Sequence, residues 1–330
     1  MMKETLKTVL AVPGVSGSEH EIVKTLAELV RPFVDEMRTD ALGNLICVKH
    51  GEEGGKRILL SAHMDQIGYV VIDADKEGFL WVHNVGGVPV KDAAGRAVTF
   101  QNGVQGVVYA QPTKEKEERK ISDLYIDIGA STKEEALEKV ALGDTASVTF
   151  HWADMGDRVA APTMDDRAAC AVLVELLQAL QAPHHTVIAV FSSQEEVGLR
   201  GARAAAFSEE PDIGIAVDVT STGDTPEAPR MAVKLGAGPT VKIMDRASIT
   251  TPSVREGLIA AAKAANVPFQ REVLTFGGTD AGAIQASRGG IPAGTVSIPT
   301  RYIHSPVEMV SIRDMEQTVA LLAKYLSTIH

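Results

Sequence analysis

"TVIAVFSSQEE", residues 186–196, is an almost unbroken apolar run that ends in two adjacent glutamates. An apolar run without polar alternation is typical of a strand buried on both faces, as in a parallel sheet covered by helices. Carboxylates at the end of such a strand are costly to remove from water unless they have partners. The stretch therefore predicts a central strand and raises the question of what Glu195 and Glu196 bind.

Strand and helix patterns of the same kind alternate over much of the chain. Strand-like runs occupy residues 41–50, 57–65, 213–220, 231–235 and 293–299, and helical periodicity occupies residues 19–34, 165–180, 254–266 and 312–329. Apolar strands that alternate with helices indicate a sheet covered on both faces. The fold class predicted from this pattern is α/β.

The pattern changes between about residues 68 and 160. Short β-rich pieces are separated there by Gly, Asn, Pro and charged residues, and only "TKEEALEKV" (132–140) looks helical. Such a texture is typical of a small β-barrel or sandwich. We therefore expect one α/β domain, made of residues 1–66 and 161–330, interrupted by a β-rich insert of residues 67–160.

Composition excludes some classes of function. The chain has 330 residues, 45% of them hydrophobic, and a formal net charge of -11. A nucleic-acid partner is not expected, because binding a polyanion requires a basic surface. Two cysteines do not define a disulfide framework. Cys170 lies in a predicted helix and is expected to be a small residue of the hydrophobic core. We see neither a signal peptide nor a run of about 18–20 apolar residues, so we expect a cytoplasmic protein without a membrane partner.

Chemically active side chains follow the predicted strands. Ligands of open α/β sheets bind outside the carboxyl ends of the strands, so side chains at those ends should meet. Asp165 and Asp166 stand at the start of a predicted helix, where they could join from the side. The residues at or beyond the strand ends are His63, Glu195, Glu196, Asp218 and His304.

Histidine, aspartate and glutamate are suitable ligands for zinc and similar divalent ions. Two imidazoles and three carboxylates are more than one tetrahedral catalytic zinc needs. They suit two ions, about 3.5–4 Å apart, with a shared carboxylate, and leave one carboxylate to act as a general base. Each residue alone has a simpler reading, such as Asp165 as a helix cap, and only their joint occurrence favours metal.

Six motifs in order along the chain resemble one family. They are "SAHMDQIGYVV", "APTMDDRAACAV", "SSQEEVGLRGA", "VDVT", "GGTDA" and "IPTRYIHSPVE". Together they are similar to the M42 metallo-aminopeptidases, which include the TET peptidases and glutamyl aminopeptidases. The resemblance implies a three-layer α/β/α domain with an inserted small β-barrel for dimerisation. It also implies short peptide substrates and a homo-oligomer, either a dimer or a tetrahedral dodecamer.

The resemblance also implies metal ligands. His63 and Asp218 would bind one ion, and Glu196 and His304 the other. Asp165 would bridge the two, with Asp166 as the alternative, because spacing alone does not separate neighbours. Two divalent ions are expected, Zn²⁺ or Co²⁺, and ligand types do not choose between them.

Two further roles follow from the same resemblance. Glu195 resembles the general base that takes a proton from the attacking water. Asp65, two residues after His63, resembles a carboxylate that orients an imidazole ligand and raises its basicity. The adjacent glutamates would therefore do different work.

Substrate contacts are predicted less directly. "GGTDA" (277–281) reads either as a tight turn beside the site or as a substrate contact through Gly278, Thr279 and Asp280. Arg301 either shapes the substrate pocket or holds the loop of His304. Both alternatives stay open at this stage.

Two rival activities use similar residues. An amidohydrolase or deacylase acting on small N-acyl substrates could share the metal site. A glycoside hydrolase also uses paired carboxylates, but it would leave His63 and His304 without a role. Aromatic residues form only 5% of the chain, which is few for stacking sugar rings.

Overall fold

The computed structural model describes residues 1–112, 115–226, 228 and 230–329. Its helices are α1 (Met2–Leu10), α2 (His20–Val30), α3 (Lys133–Lys139), α4 (Met164–Ala179), α5 (Arg200–Glu209), α6 (Pro252–Ala264), α7 (Asp280–Gln285) and α8 (Ile312–Thr328). Its strands are β1 (Glu36–Thr39), β2 (Leu45–Lys49), β3 (Arg57–His63), β4 (Gly68–Ala74), β5 (Leu80–Val85), β6 (Arg96–Phe100), β7 (Gln105–Ala110), β8 (Leu124–Asp127), β9 (Thr145–Val148), β10 (Ala153–Met155), β11 (Arg158–Ala161), β12 (Thr186–Ser192), β13 (Ile213–Thr220), β14 (Thr240–Met244), β15 (Gln270–Val273), β16 (Ala293–Arg301) and β17 (Glu308–Ser311).

The large sheet has the strand order β1-β2-β12-β3-β13-β16-β17-β11-β10, and β14 and β15 extend it from β16. Its centre is parallel, because β12 and β13 both pair with β3 in parallel and β13 pairs with β16 in the same sense. The carboxyl ends of four strands therefore meet at one edge. The predicted α/β class is confirmed.

Alternate residues of the central strands serve two separate cores. Ile58, Leu60 and Phe191 face the layer that contains α1, α2, α4, α6 and α8. Leu59 and Ile188 face the opposite layer, which contains α5 and α7. Because successive strand residues point to opposite faces, both faces must be apolar, which explains the unbroken apolar runs. The architecture is the three-layer α/β/α arrangement.

A closed barrel of six strands, in the order β4-β5-β8-β7-β6-β9, interrupts the α/β part of the chain. Its neighbouring strands pair antiparallel, and its interior contains Tyr69, Leu80, Val82, Phe100 and Ile126. Closure leaves no exposed sheet edge. The β-rich texture of this part of the sequence is explained by the barrel, whereas the boundaries 67–160 and a role in dimerisation stay predictions.

One predicted strand is absent. Residues 231–235, "MAVKL", form no strand, although Val233 and Leu235 are buried. The carbonyl of Val233 accepts from the N–H of Gly223, and the N–H of Lys234 bonds the side chain of Gln270. The segment therefore has hydrogen-bond partners in a loop and a side chain rather than in a ladder. Its apolar residues reflect burial of a loop.

Both cysteines are buried free thiols, as expected for Cys170. No helix in the described part of the chain is both long and apolar enough to cross a membrane. The cytoplasmic location stays a prediction.

The guanidinium of Arg167 ties α4 to two other segments. It is fully buried and donates to the carbonyls of Met64 (2.6 Å), Val12 (3.0 Å) and Val9. A lysine ammonium has no planar fork and would leave buried carbonyls without donors. We expect Arg167→Lys to lower the free energy of unfolding by about 2–4 kcal/mol.

Chemical unfolding monitored by circular dichroism measures this loss. Arg255→Lys, at a partly exposed arginine that contacts an exposed glutamate, is the control and should change stability by less than about 0.5 kcal/mol. Equal unfolding midpoints for the two variants would show that the buried contacts of Arg167 contribute nothing.

Candidate metal centre

The predicted ligands meet at the carboxyl edge of the sheet. His63 is the last residue of β3 and lies opposite Ser192, the last residue of β12. Glu195 and Glu196 follow β12 within four residues, and Asp218 lies near the end of β13. His304 follows β16, and Asp165 lies in the first turn of α4. Parallel pairing is what brings these ends together.

Asp165 lies between two imidazoles. Its Oδ1 is 3.0 Å from Nε2 of His63, and its Oδ2 is 3.3 Å from Nε2 of His304. Oε1 of Glu196 is 3.2 Å from the same nitrogen of His304. The carboxylate of Asp165 therefore offers one oxygen to each of the two imidazoles.

Histidine and acidic side chains form two groups of potential metal ligands, here called ligand groups, which share His63. One comprises His63, Glu195 and Asp218, and the other comprises His63, Asp165 and Glu196. Within each group the potential ligand atoms lie within 4.8 Å of one another. Oε2 of Glu195 is 3.9 Å from Nε2 of His63. Glu195 shares its ligand group with Asp218, so these two carboxylates lie on the same side of the site.

Asp166 differs from its neighbour. It is fully buried, and within the described residues neither of its carboxylate oxygens has a hydrogen-bond partner. It belongs to neither ligand group. Burial, together with the charge of Asp218, raises its pKa well above the usual value. The surroundings of Asp166 therefore disfavour the charged form of its carboxyl group.

Burial and charge show that this donor set fits divalent cations. His63 and Asp218 are only 2% and 6% exposed, yet five further carboxylates act on them, those of Asp65, Asp165, Asp166, Glu195 and Asp280. Burial raises the pKa of Glu195 and of Asp218 well above the usual range, and neighbouring carboxylates add to both shifts. Several buried carboxylates require compensating positive charge, which metal ions supply. Imidazole and carboxylate are suitable ligands for such ions.

The two histidines respond to the same charges. Burial opposes protonation of His63, but Glu195, Asp165 and Asp65 outweigh it and raise the pKa well above its usual value. Burial likewise opposes protonation of His304, yet Asp165 and Glu196 raise its pKa to about 11. The imidazoles thus lie where the negative potential attracts cations.

Asp65 holds the turn that carries the two glutamates. Its carboxylate accepts the N–H of Glu195 (2.9 Å), the N–H of Glu196 (3.3 Å) and the hydroxyl of Ser16 (2.6 Å). Nδ1 of His63 is 3.2 Å from the carbonyl oxygen of Asp65 and 3.5 Å from its carboxylate. Asp65 therefore contacts both the imidazole of His63 and the main chain of the acidic turn, while its role in orienting a metal ligand stays a prediction.

Two supporting contacts were not predicted. The carbonyl of Gly87, in the loop after β5 of the barrel, is 3.0 Å from Nδ1 of His304. The carboxylate of Glu308 accepts the N–H of His304 (2.6 Å) and the N–H of Asp165 (2.9 Å). Glu308 ends the quoted motif "IPTRYIHSPVE", so a buried acid four residues after His304 was the available signal. Gly87 offered none.

A cavity of about 550 Å³ opens beside the centre. Gly278 and Thr279 line it, together with apolar and basic side chains. Asp280 is not among the lining residues and instead accepts from Ser61 (2.7 Å) and Ser192 (2.5 Å) beneath the site. The structure therefore brings only part of the "GGTDA" motif to the cavity, with α7 beginning at Asp280.

Arg301 lies away from the cavity lining. Its Nε and Nη2 donate to the carboxylate of Asp224 at 3.0 and 2.8 Å. This geometry is that of a side chain that holds a loop, one of the two alternatives for Arg301. Its contact with substrate stays a prediction.

Comparison with known proteins gives a consistent result. A sequence model of a family described as M42 glutamyl aminopeptidase matches residues 43–321. A putative aminopeptidase of Acetivibrio thermocellus is 47% identical over 324 residues, which is 98% of each chain.

Solved structures are similar over the whole chain. An aminopeptidase from Desulfurococcus kamchatkensis has a TM-score of 0.95 and 33% identity, over 99% of this chain and 95% of that chain. The TET1 peptidase of Pyrococcus horikoshii has a TM-score of 0.88 and 34% identity over all of both chains. That protein can assemble into a tetrahedron or a large octahedral shell.

Proposed function

Because the chain belongs to the M42 peptidase family and is an aminopeptidase, we propose that it removes N-terminal residues from short peptides with two divalent metal ions and one glutamate base. The observation that carries the proposal is Asp165, whose two oxygens face the imidazoles of His63 and His304. A carboxylate placed in this way can be shared by two ions.

The proposed ligands divide into two sets. His63 and Asp218 would hold one ion, Glu196 and His304 would hold the other, and Asp165 would offer one carboxylate oxygen to each. Contacts of Asp165 with both imidazoles support it as the bridge in place of Asp166. The expected ions are Zn²⁺ or Co²⁺, whose ligand preferences the donor set meets. When bound, such ions make water more acidic and polarise a substrate carbonyl.

Glu195 is the proposed general base. It takes a proton from the attacking water and passes it to the leaving amine, as general acid–base catalysis requires. Its main chain is held by Asp65, which supports a fixed position of its carboxylate. Glu196 leaves the same turn toward His304, which supports separate roles for the two glutamates.

The cavity receives the first residue of the peptide. Leu274 and Phe276 provide apolar walls, and Gly278 and Thr279 lie where they can contact the substrate main chain. Asp280 and Arg301 hydrogen-bond Ser61, Ser192 and Asp224 outside the cavity lining, and a direct contact of either with substrate is the less supported part of the proposal.

A homo-oligomer is part of the proposal, either a dimer through the barrel or a tetrahedral dodecamer. Support comes from the TET1 peptidase, which assembles in closed shells. Ile72, Val107 and Tyr109 of the barrel are exposed apolar side chains that a partner subunit could cover. Light scattering measures the mass of the assembly.

Aminoacyl-p-nitroanilides and their N-acetylated counterparts test the activity. We expect at least about a hundredfold higher kcat/KM with the free amine, because a site built for a charged group rejects an analogue that lacks it. Chelation should abolish the activity, and Zn²⁺ or Co²⁺ should restore it.

The rival activities predict other outcomes. A preference for N-acyl amino acids would identify a deacylase. Chelator-resistant cleavage of a β-glucan would identify a glycoside hydrolase, since that chemistry needs no metal.

A further inference from the structure

We propose that Glu308 is a positioning residue that holds Asp165 and His304 in the arrangement needed to share one metal ion. The proposal rests on the ligand sets proposed above. Glu308 is a buried carboxylate that belongs to neither ligand group, and its oxygens are used by two backbone N–H groups.

Glu308 joins two segments that are far apart in sequence. It is the first residue of β17, and it lies opposite Ala161 of β11, just before α4. Oε1 accepts the N–H of His304 at 2.6 Å, and Oε2 accepts the N–H of Asp165 at 2.9 Å. A single rigid carboxylate therefore sets the distance between the main chains of two proposed ligands.

The backbone of His304 needs such support. Its φ is +63°, in the left-handed region that costs a non-glycine residue about 1–2 kcal/mol. His304 lies outside β16 and β17, so no strand ladder holds it. An acceptor at 2.6 Å for its N–H offsets this cost, because a buried N–H without a partner is costly.

The ring of His304 is fixed from the other side. Gly87 O is 3.0 Å from Nδ1, and a Cβ on Gly87 would lie 2.8 Å from Cε1 of the ring. With the main chain held by Glu308 and Nδ1 held by Gly87, Nε2 is directed to Asp165 and Glu196. Hydrogen bonds that orient a metal-binding side chain in this way commonly tune metal affinity.

The other proposed ion does not depend on Glu308 in the same way. His63 and Asp218 belong to β3 and β13, whose positions are set by parallel ladders on both sides. Loss of Glu308 removes support from two proposed ligands of the ion at Glu196 and His304, but only from the shared Asp165 for the ion at His63 and Asp218. We therefore expect the affinity for the first ion to fall further than the affinity for the second.

Glu308→Gln tests this difference. Glutamine has the same shape but one acceptor oxygen, so one of the two N–H groups would face an amide NH₂. We expect the affinity for the ion at Glu196 and His304 to fall about 10–100-fold, the usual range for such supporting contacts, and the affinity for the other ion to fall less. Titration of metal-free protein with Co²⁺, followed by visible absorption and calorimetry, measures both affinities without an activity assay.

A steady-state measurement adds a second readout. The kcat of Glu308→Gln should fall further below that of wild type at limiting metal than at saturating metal, because Glu308 touches neither substrate nor ion and acts through metal affinity. Glu308→Asp keeps the carboxyl group but is too short to reach both N–H groups, so it should show the same unequal loss. Glu308→Asp also provides the test if Glu308→Gln folds poorly.

Asp314 provides a matched control. It is a fully buried carboxylate in the first turn of α8 that accepts two backbone N–H groups, of Gly236 (2.7 Å) and Gly238 (2.9 Å). Asp314→Asn removes the same type of interaction outside the metal centre. It should lower the melting temperature while both Co²⁺ affinities stay at wild-type values.

Each result has a defined meaning. Wild-type affinity for both ions in Glu308→Gln overturns the proposal, and so does an equal loss of both ions. A wild-type chain that binds a single ion contradicts the metal pair and the role of Glu308 together. Two ions in wild type with an unchanged variant contradict Glu308 alone.

Discussion

Glu195→Gln is expected to lower kcat about 10²–10⁴-fold while two metal ions stay bound, because glutamine has the same shape but cannot accept a proton. KM should change little, since the substrate still meets the same walls of the cavity. The position of Glu195 makes this outcome informative. It lies within ligand distance of His63 and Asp218, so a direct role in binding metal is the competing explanation.

Metal content separates these explanations. Purified Glu195→Gln is analysed for kcat and, by plasma emission spectroscopy, for metal per chain. Glu196→Gln is the matched control on the adjacent residue, and it should lose one ion because Glu196 faces His304 at 3.2 Å. Near-normal kcat in Glu195→Gln, or loss of an ion from it, would exclude a role limited to proton transfer.

Asp165→Asn should abolish activity, with a fall of more than about 10³-fold, through loss of metal. An amide has only one oxygen to offer, whereas Asp165 presents one to each imidazole group. Both ions are affected because both depend on the shared residue. Metal per chain, measured after dialysis against metal-free buffer, should fall well below two.

Asp166→Asn is the control for Asp165. Within the described residues Asp166 has no hydrogen-bond partner and belongs to neither ligand group, and burial raises its pKa, so an amide of the same shape should be tolerated there. We expect two ions to stay bound. The reverse pattern, with metal lost from Asp166→Asn and kept in Asp165→Asn, would make Asp166 the bridge.

The fold could be predicted because its signals are local. Runs such as 187–191 are apolar at every position, and this requirement comes from burial on both faces of β12. The motif residues follow such strands directly, so parallel pairing alone implies that His63 and Glu195 approach each other. The prediction of a strand at 231–235 was wrong. Apolar character indicates that a segment is buried, but it does not indicate that the segment pairs with a strand.

The supporting residues could not be predicted in this way. Gly87 lies 217 positions from His304, in a barrel whose sequence indicates only short strands. Asp165 lies 143 positions from Glu308, and nothing in either segment specifies a contact with the other. Such pairs depend on how complete elements pack, which periodicity does not describe.

The sequence by itself determined the α/β class, the β-rich insert and the residue types that collect at the sheet edge, because hydrophobic period and strand-end position are properties of neighbouring residues. Only the tertiary structure decided that Asp165 and not Asp166 faces both imidazoles, that Asp65 holds the turn of Glu195 and Glu196, and that Glu308 holds Asp165 and His304. The physical reason is that the direction of a side chain and the partner of a buried N–H are set by packing among distant segments.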